Sequence, residues 1–142
     1  MEIQGLYDLA KKENIGILDF PMSVSRSMSV MDDSGRCYIG MDSSIKDSGT
    51  QERVHLAHEL GHCITGSFYN RYATVDHRRR HENRADKWAV EQLIPVERLD
   101  NAIAGGCCEI WELAEHFGVT EDFVRKAVCW YVHGNMAHEL YF

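Results

Sequence analysis

Two periods of apolar residues alternate along the chain, and the points where one gives way to the other mark its elements. Residues 2 to 13 place Ile3, Leu6, Tyr7 and Ala10 at helical spacing, which predicts a first helix ending near Asn14. "IGILDFP" then predicts a short strand stopped by Pro21, and apolar runs from Met28 to Met31 and from Cys37 to Met41 flank the polar, Gly-containing turn Asp32-Asp33-Ser34-Gly35. A helix is expected from Thr50 or Gln51 to about Thr65, with Gly66 as its stop. "SFYNRYATVDHRRR" keeps no period and predicts a loop. Helical spacing resumes in "HENRADKWAVEQLIP" through Ala85, Trp88, Ala89 and Leu93, and Pro95 opens the next short helix. Beyond Gly105-Gly106, "CEIWELAEHFGVTEDFVRKAVCWYVHG" predicts two helices joined at Gly118, the second capped by Thr120.

The pattern predicts an α+β fold: a small antiparallel sheet from residues 15 to 41 beside the helix of residues 50 to 65, followed by a helical C-terminal half. The length of 142 residues suits one domain with its own core. Within 1–142, residues 1–48 supply a helix and the sheet, 49–95 two central helices, and 96–142 a helical tail with a segment spaced like a helix-turn-helix. With 44% hydrophobic and 26% charged residues and two prolines, the chain has the composition of a folded protein. A formal charge of −7 argues against a broad electrostatic grip on nucleic acid or anionic lipid. The first twenty residues lack the layout of a secretion signal, and no run reaches the ~18 apolar residues of a membrane span. The five cysteines, an odd count without a C-x-x-C pair, suggest neither a disulfide framework nor a thiolate zinc knuckle, and the cytoplasm is the expected location.

Eight histidines are the unusual feature, and two stand in His58-Glu59-Leu60-Gly61-His62. On a helix, residues i and i+4 project from one face, so both imidazoles can reach one metal ion at roughly 2 Å. Glu59 points to the adjacent side, where its carboxylate can take a proton from water that zinc has activated for attack on a carbonyl. The alternative is an amphipathic helix whose histidines are surface or core residues. That alternative places two ligand-grade side chains near the core for no purpose, beside Ala57 and Gly61, whose small size leaves room for close packing or ligand approach.

A catalytic zinc ordinarily has three protein ligands and one open position. The metzincin pattern fails, because Thr65 and Phe68 stand where glycine and histidine would be required. The other route is a carboxylate from a second helix. Glu82 supplies it, with Asp86 one turn later placed to accept the spare N–H of a ligating histidine. A solvated acidic face would give the same spacing, but the His-Glu-Leu-Gly-His segment favours the ligand reading.

"LAHELGHCITGSFYN" followed by "RHENRADKWAVEQLIP" resembles the ImmA/IrrE family of metallopeptidases, in particular the short members encoded by phages and integrative elements. "ENIGILDFP" and "ELAEHFGVTEDFVRKAV" occur in similar order there, so the resemblance covers nearly the whole chain. It implies a zincin-like core in which His58, His62 and Glu82 hold zinc and Glu59 is the general base. It also implies a protein substrate, a helix-turn-helix repressor of the same mobile element.

An oxyanion donor is still to be found, with Tyr69, Tyr72 and His77 as candidates from the predicted loop. His55 and His81 read as neighbours of the site, Cys63 as a small buried apolar residue, and His138 and Glu139 as tail residues. In the helix-turn-helix-like segment, Glu109, Glu112, Glu115, Glu121 and Asp122 outnumber Arg125 and Lys126, which favours packing or partner docking over direct DNA binding. Zincins hold substrate as a strand added to a sheet edge, and Cys37 to Met41 is the expected edge. The leading expectation is thus a zinc endopeptidase. A non-catalytic regulator stapled by zinc that binds the repressor is the alternative, and a DNA-binding factor is the weaker third.

Overall fold

The computed structural model describes residues 1–46, 49–70 and 72–140. The expected boundary at residue 48 lies outside the described residues. Among the described residues, seven α-helices and three strands follow in the order α1 (Ile3–Lys12), β1 (Gly16–Asp19), β2 (Ser27–Met31), β3 (Cys37–Met41), α2 (Ser43–Lys46), α3 (Thr50–Thr65), α4 (Val75–Leu93), α5 (Val96–Ala104), α6 (Ile110–Phe117) and α7 (Glu121–His133), with a 3-10 turn at His138–Leu140. The fold is α+β and mostly helical, and the sheet lies beside α3 as expected.

The sheet is mixed. β2 and β3 form the expected antiparallel hairpin, but β1 joins parallel to β3, giving the order β1-β3-β2. Cys37 to Met41 is therefore the central strand, paired on both sides, and has no free edge to offer. Its burial agrees: Cys37, Ile39 and Met41 are buried, whereas β2 is mostly exposed. Periodicity could not decide the order, because a short strand reads alike at the centre and at the edge.

Two local corrections bear on the site. Residues 75–80 are not loop but the first turns of α4, started by Thr74, whose hydroxyl accepts the His77 amide at 3.1 Å. The residues from Asp76 to Arg80 are all exposed, so this part of the helix has no apolar face to reveal its period. Cys63, expected as a small buried apolar residue, is half-buried and disulfide-bonded to Cys37, with the two Cα atoms 6.0 Å apart. The last turn of α3 runs beside the start of β3, a neighbourhood invisible in a pair separated by 26 residues. Cys107, Cys108 and Cys129 are free.

α3 is the hub of the core. Leu56, Ala57 and Leu60 are fully buried against Ile39 and Met41 of β3, Leu6 and Ala10 of α1, and Ala89, Val90 and Leu93 of α4. Its Arg53 donates hydrogen bonds to the Phe117 and Gly118 carbonyls at the end of α6 and to the Met1 carbonyl at 2.5 Å. The two central helices touch through backbone. A Cβ on Gly61 would lie 2.5 Å from the Ala85 carbonyl oxygen and 3.0 Å from its Cα.

That contact yields a test. Gly61→Ala gains about 1 kcal/mol of helix propensity, but overpacking costs about 1–3 kcal/mol, and backbone as the obstructing neighbour places this case at the upper end. The variant should melt at lower temperature than the parent. A rise in melting temperature would show that α3 and α4 do not approach so closely.

Candidate metal centre

α3 and α4 carry the histidines and the carboxylates to one point. α3 stops at Gly66, whose left-handed backbone (φ 66°) returns its N–H to the His62 carbonyl and turns the chain so that the Ser67 carbonyl accepts a hydrogen bond from His62 Nδ1. On the same helix face, His58 Nδ1 donates to Asp86 Oδ1 at 2.6 Å. With both Nδ1 atoms occupied, the two Nε2 atoms turn toward one carboxylate oxygen: His58 Nε2 lies 2.8 Å and His62 Nε2 3.2 Å from Glu82 Oε2. The histidine rings stand edge to face, 4.8 Å apart.

The donor atoms of His58, His62 and Glu82 all lie within 4.8 Å of one another, a set that fits a metal ion. Its chemistry agrees with the geometry. Two imidazole nitrogens and a carboxylate are the ligands zinc takes, and each histidine is oriented through its other nitrogen, as ligating histidines are. Nitrogens this close to a carboxylate must share a cation with it, either protons or one divalent ion in their place.

Charge is concentrated here. Burial disfavours a charged His58, but its bonds to Asp86 and Glu82 outweigh that effect and raise its pKa to about 10. The same conflict in His62 ends upward, through Glu82 and the Ser67 carbonyl. Burial alone would raise Glu82 and Asp86, yet the facing histidines hold both carboxyls below the usual range. Lys126 of α7 adds a positive charge 3.3 Å from Asp86 Oδ2. Tyr69 donates its hydroxyl to Glu82 Oε1 at 2.7 Å, and burial followed by that bond pushes its pKa to about 12.

A cleft of about 1160 Å³ opens over this cluster. One wall is β2, from Ser27 to Val30, and the other is the first half of α7, with Thr120, Asp122, Phe123 and Lys126. Glu59 lines it and is 6% exposed, held by the Ser27 hydroxyl at 2.7 Å. The segment spaced like a helix-turn-helix thus forms one side of the cleft, with Lys126 committed to Asp86.

Of the expected oxyanion donors, Tyr69 lines the cleft. Tyr72 is 79% exposed and does not, and His77, on α4 rather than in a loop, stacks edge-on with His81 away from it. His55 lies beside the cluster, bonded to Ser27. His138 bonds Asp122 at the cleft wall. Ser27, Ser67 and Lys126 escaped the sequence reading. For Ser67 a signal existed, since a glycine stop four residues after a histidine at the helix end commits the next carbonyl to a defined place. Ser27 and Lys126 lie 32 residues before Glu59 and 40 after Asp86, with no local pattern to link them.

Among the described residues, no helix is long and apolar enough to cross a membrane. No curated protein matches the chain. Residues 10–128 match the family model Peptidase_M78, the IrrE N-terminal-like domain. That match runs from α1 through most of α7 and takes in both helices of the cluster, so the chain belongs to the IrrE N-terminal-like family of peptidases.

Proposed function

We propose that this protein is a zinc-dependent endopeptidase whose substrate is a helix-turn-helix repressor of a phage or integrative element, acting in the cytoplasm where such a repressor works. The observation that carries the enzyme reading is Glu59, a buried carboxylate facing the cleft beside the His58, His62 and Glu82 donors. A purely structural metal has no use for it. The repressor as substrate rests on the family resemblance of the two central motifs.

In this reading His58, His62 and Glu82 hold zinc, and Asp86 and Ser67 fix the two rings. Zinc, when bound, supplies Lewis acidity toward a peptide carbonyl and toward water. Glu59 takes the proton of the attacking water and passes it to the leaving nitrogen. Tyr69 holds Glu82 through Oε1 and, lining the cleft, is the candidate hydroxyl for a developing oxyanion.

Substrate lies along β2. Hydrogen bonds from the Asp42 amide to the Arg26 carbonyl and from the Asp32 amide to the Arg36 carbonyl set the ladder phase. Alternation makes Met28 and Val30 the residues bonded to β3 and turns the N–H and C=O of Ser29 outward, toward an added strand. The Ser27 carbonyl already accepts the Ser25 hydroxyl, so Ser29 offers the open pair.

Three outcomes are expected. Purified protein should carry about one zinc per chain by elemental analysis, falling sharply in His58→Ala, His62→Ala and Glu82→Ala, because a site reduced to two ligands binds weakly. Full zinc in Glu82→Ala would move the third ligand elsewhere. Ser29→Pro removes an outward N–H from an edge strand without touching the β3 ladder. It should keep zinc and raise KM about fivefold, the equivalent of one hydrogen bond near 1 kcal/mol; an unchanged KM would remove β2 as the docking edge.

Glu59→Gln decides between enzyme and staple. Co-expressed with a candidate helix-turn-helix repressor and followed by intact mass, the variant should keep zinc and bind the repressor, while cleavage falls by roughly 10²- to 10⁴-fold. If it releases the element's genes as well as the parent does, the protein works by binding alone.

A further inference from the structure

Among the residues around the cluster, Ser27 has the most constrained surroundings. It is 5% exposed, at the start of the edge strand β2, and its hydroxyl lies 2.7 Å from Glu59 Oε2 and 2.8 Å from His55 Nδ1. A hydroxyl has one proton. An ionised carboxylate can only accept, so the Ser27 proton goes to Glu59, and the Ser27 oxygen must accept from His55. His55 therefore carries its proton on Nδ1. Burial, its largest influence, lowers its pKa and favours the neutral ring, whose single proton then sits on Nδ1.

The consequence falls on Glu59. With Oε2 tied to the strand, the carboxylate loses the freedom to turn about its last bond. Its other oxygen has no protein hydrogen bond among the described residues and is not among the sealed, orphaned polar atoms, which are Arg53 Nε and His81 Nδ1. Oε1 is thus the oxygen left for the cleft.

We propose that Ser27 is a positioning residue for the peptidase reaction: relayed from His55, its hydroxyl clamps one oxygen of Glu59 so that the other faces the cleft. The inference rests on Glu59 being the general base. It also places the clamp in the strand that borders the cleft, so the substrate-docking edge and the orientation of the base depend on the same strand, through Ser29 and Ser27.

Two measurements test it. The first is the ring-nitrogen NMR of His55, which requires no turnover. The parent and Ser27→Thr should show the Nδ1–H tautomer, and Ser27→Ala should lose it. The second is turnover of a quenched peptide spanning the bond found cut in the co-expressed repressor. Ser27→Ala should lower kcat about tenfold or more, short of the roughly 10²- to 10⁴-fold of base loss, with zinc content unchanged and KM within about twofold, and Ser27→Thr should recover most of the rate. Should the alanine variant not fold, Ser27→Cys, of similar shape with a weak donor, carries the same comparisons. An Nε2–H tautomer for His55 in the parent overturns the relay. Parental kcat in Ser27→Ala, with Glu59→Gln inactive, overturns the clamp and leaves the base reading standing; full activity in Glu59→Gln removes the base reading itself.

Discussion

The close approach of α3 and α4 at Gly61 and Ala85 is the constraint from which the site follows. His58 and His62 lie three residues before and one after Gly61, and Glu82 and Asp86 flank Ala85 on the facing helix. With the backbones in contact, ordinary side chains span the gap: Glu82 reaches both histidines, and Asp86 reaches the far side of one. A bulkier residue at either contact would part the helices, and the donors with them. Packing and chemistry here are the same interaction.

Such a cluster is costly to bury, and the fold offsets the cost by pairing every group. His58 has a carboxylate at each nitrogen, His62 a carbonyl and a carboxylate, Glu82 two imidazoles and a phenol, and Asp86 an imidazole and an ammonium. Buried charge without partners would cost several kcal/mol for each ion. The result is a fully paired donor cluster whose most exposed member, Glu82, lines the cleft.

The cleft walls come from opposite ends of the chain. β2 belongs to the hairpin formed before α3, and α7 closes from the C-terminal half, anchored by Lys126 on Asp86 and through Arg53 on the end of α6. A segment whose spacing resembles a DNA-reading unit is used as a wall. Its acidic residues and the commitment of Lys126 fit that use, and a phosphate backbone would meet little free positive charge.

Sequence by itself determined what depends on neighbours close along the chain. The extent of α3 and its glycine stop, the start of α7 at Thr120, the hairpin and the one-turn spacings His58 to His62 and Glu82 to Asp86 are all set within a few residues by helix and strand periods and by caps, so the candidate donors on each helix were legible in the sequence. Tertiary structure decided what depends on encounters across the chain. The order of three short strands turned on β1 pairing parallel with β3 across the intervening β2, and that removed Cys37 to Met41 as the edge. The pairing of Cys37 with Cys63, the Ser27 bond to Glu59 and the Lys126 bond to Asp86 join residues 26 to 40 positions apart. The early turns of α4 were hidden for a different reason: a helix exposed on every side buries no face, and without a buried face there is no period to read.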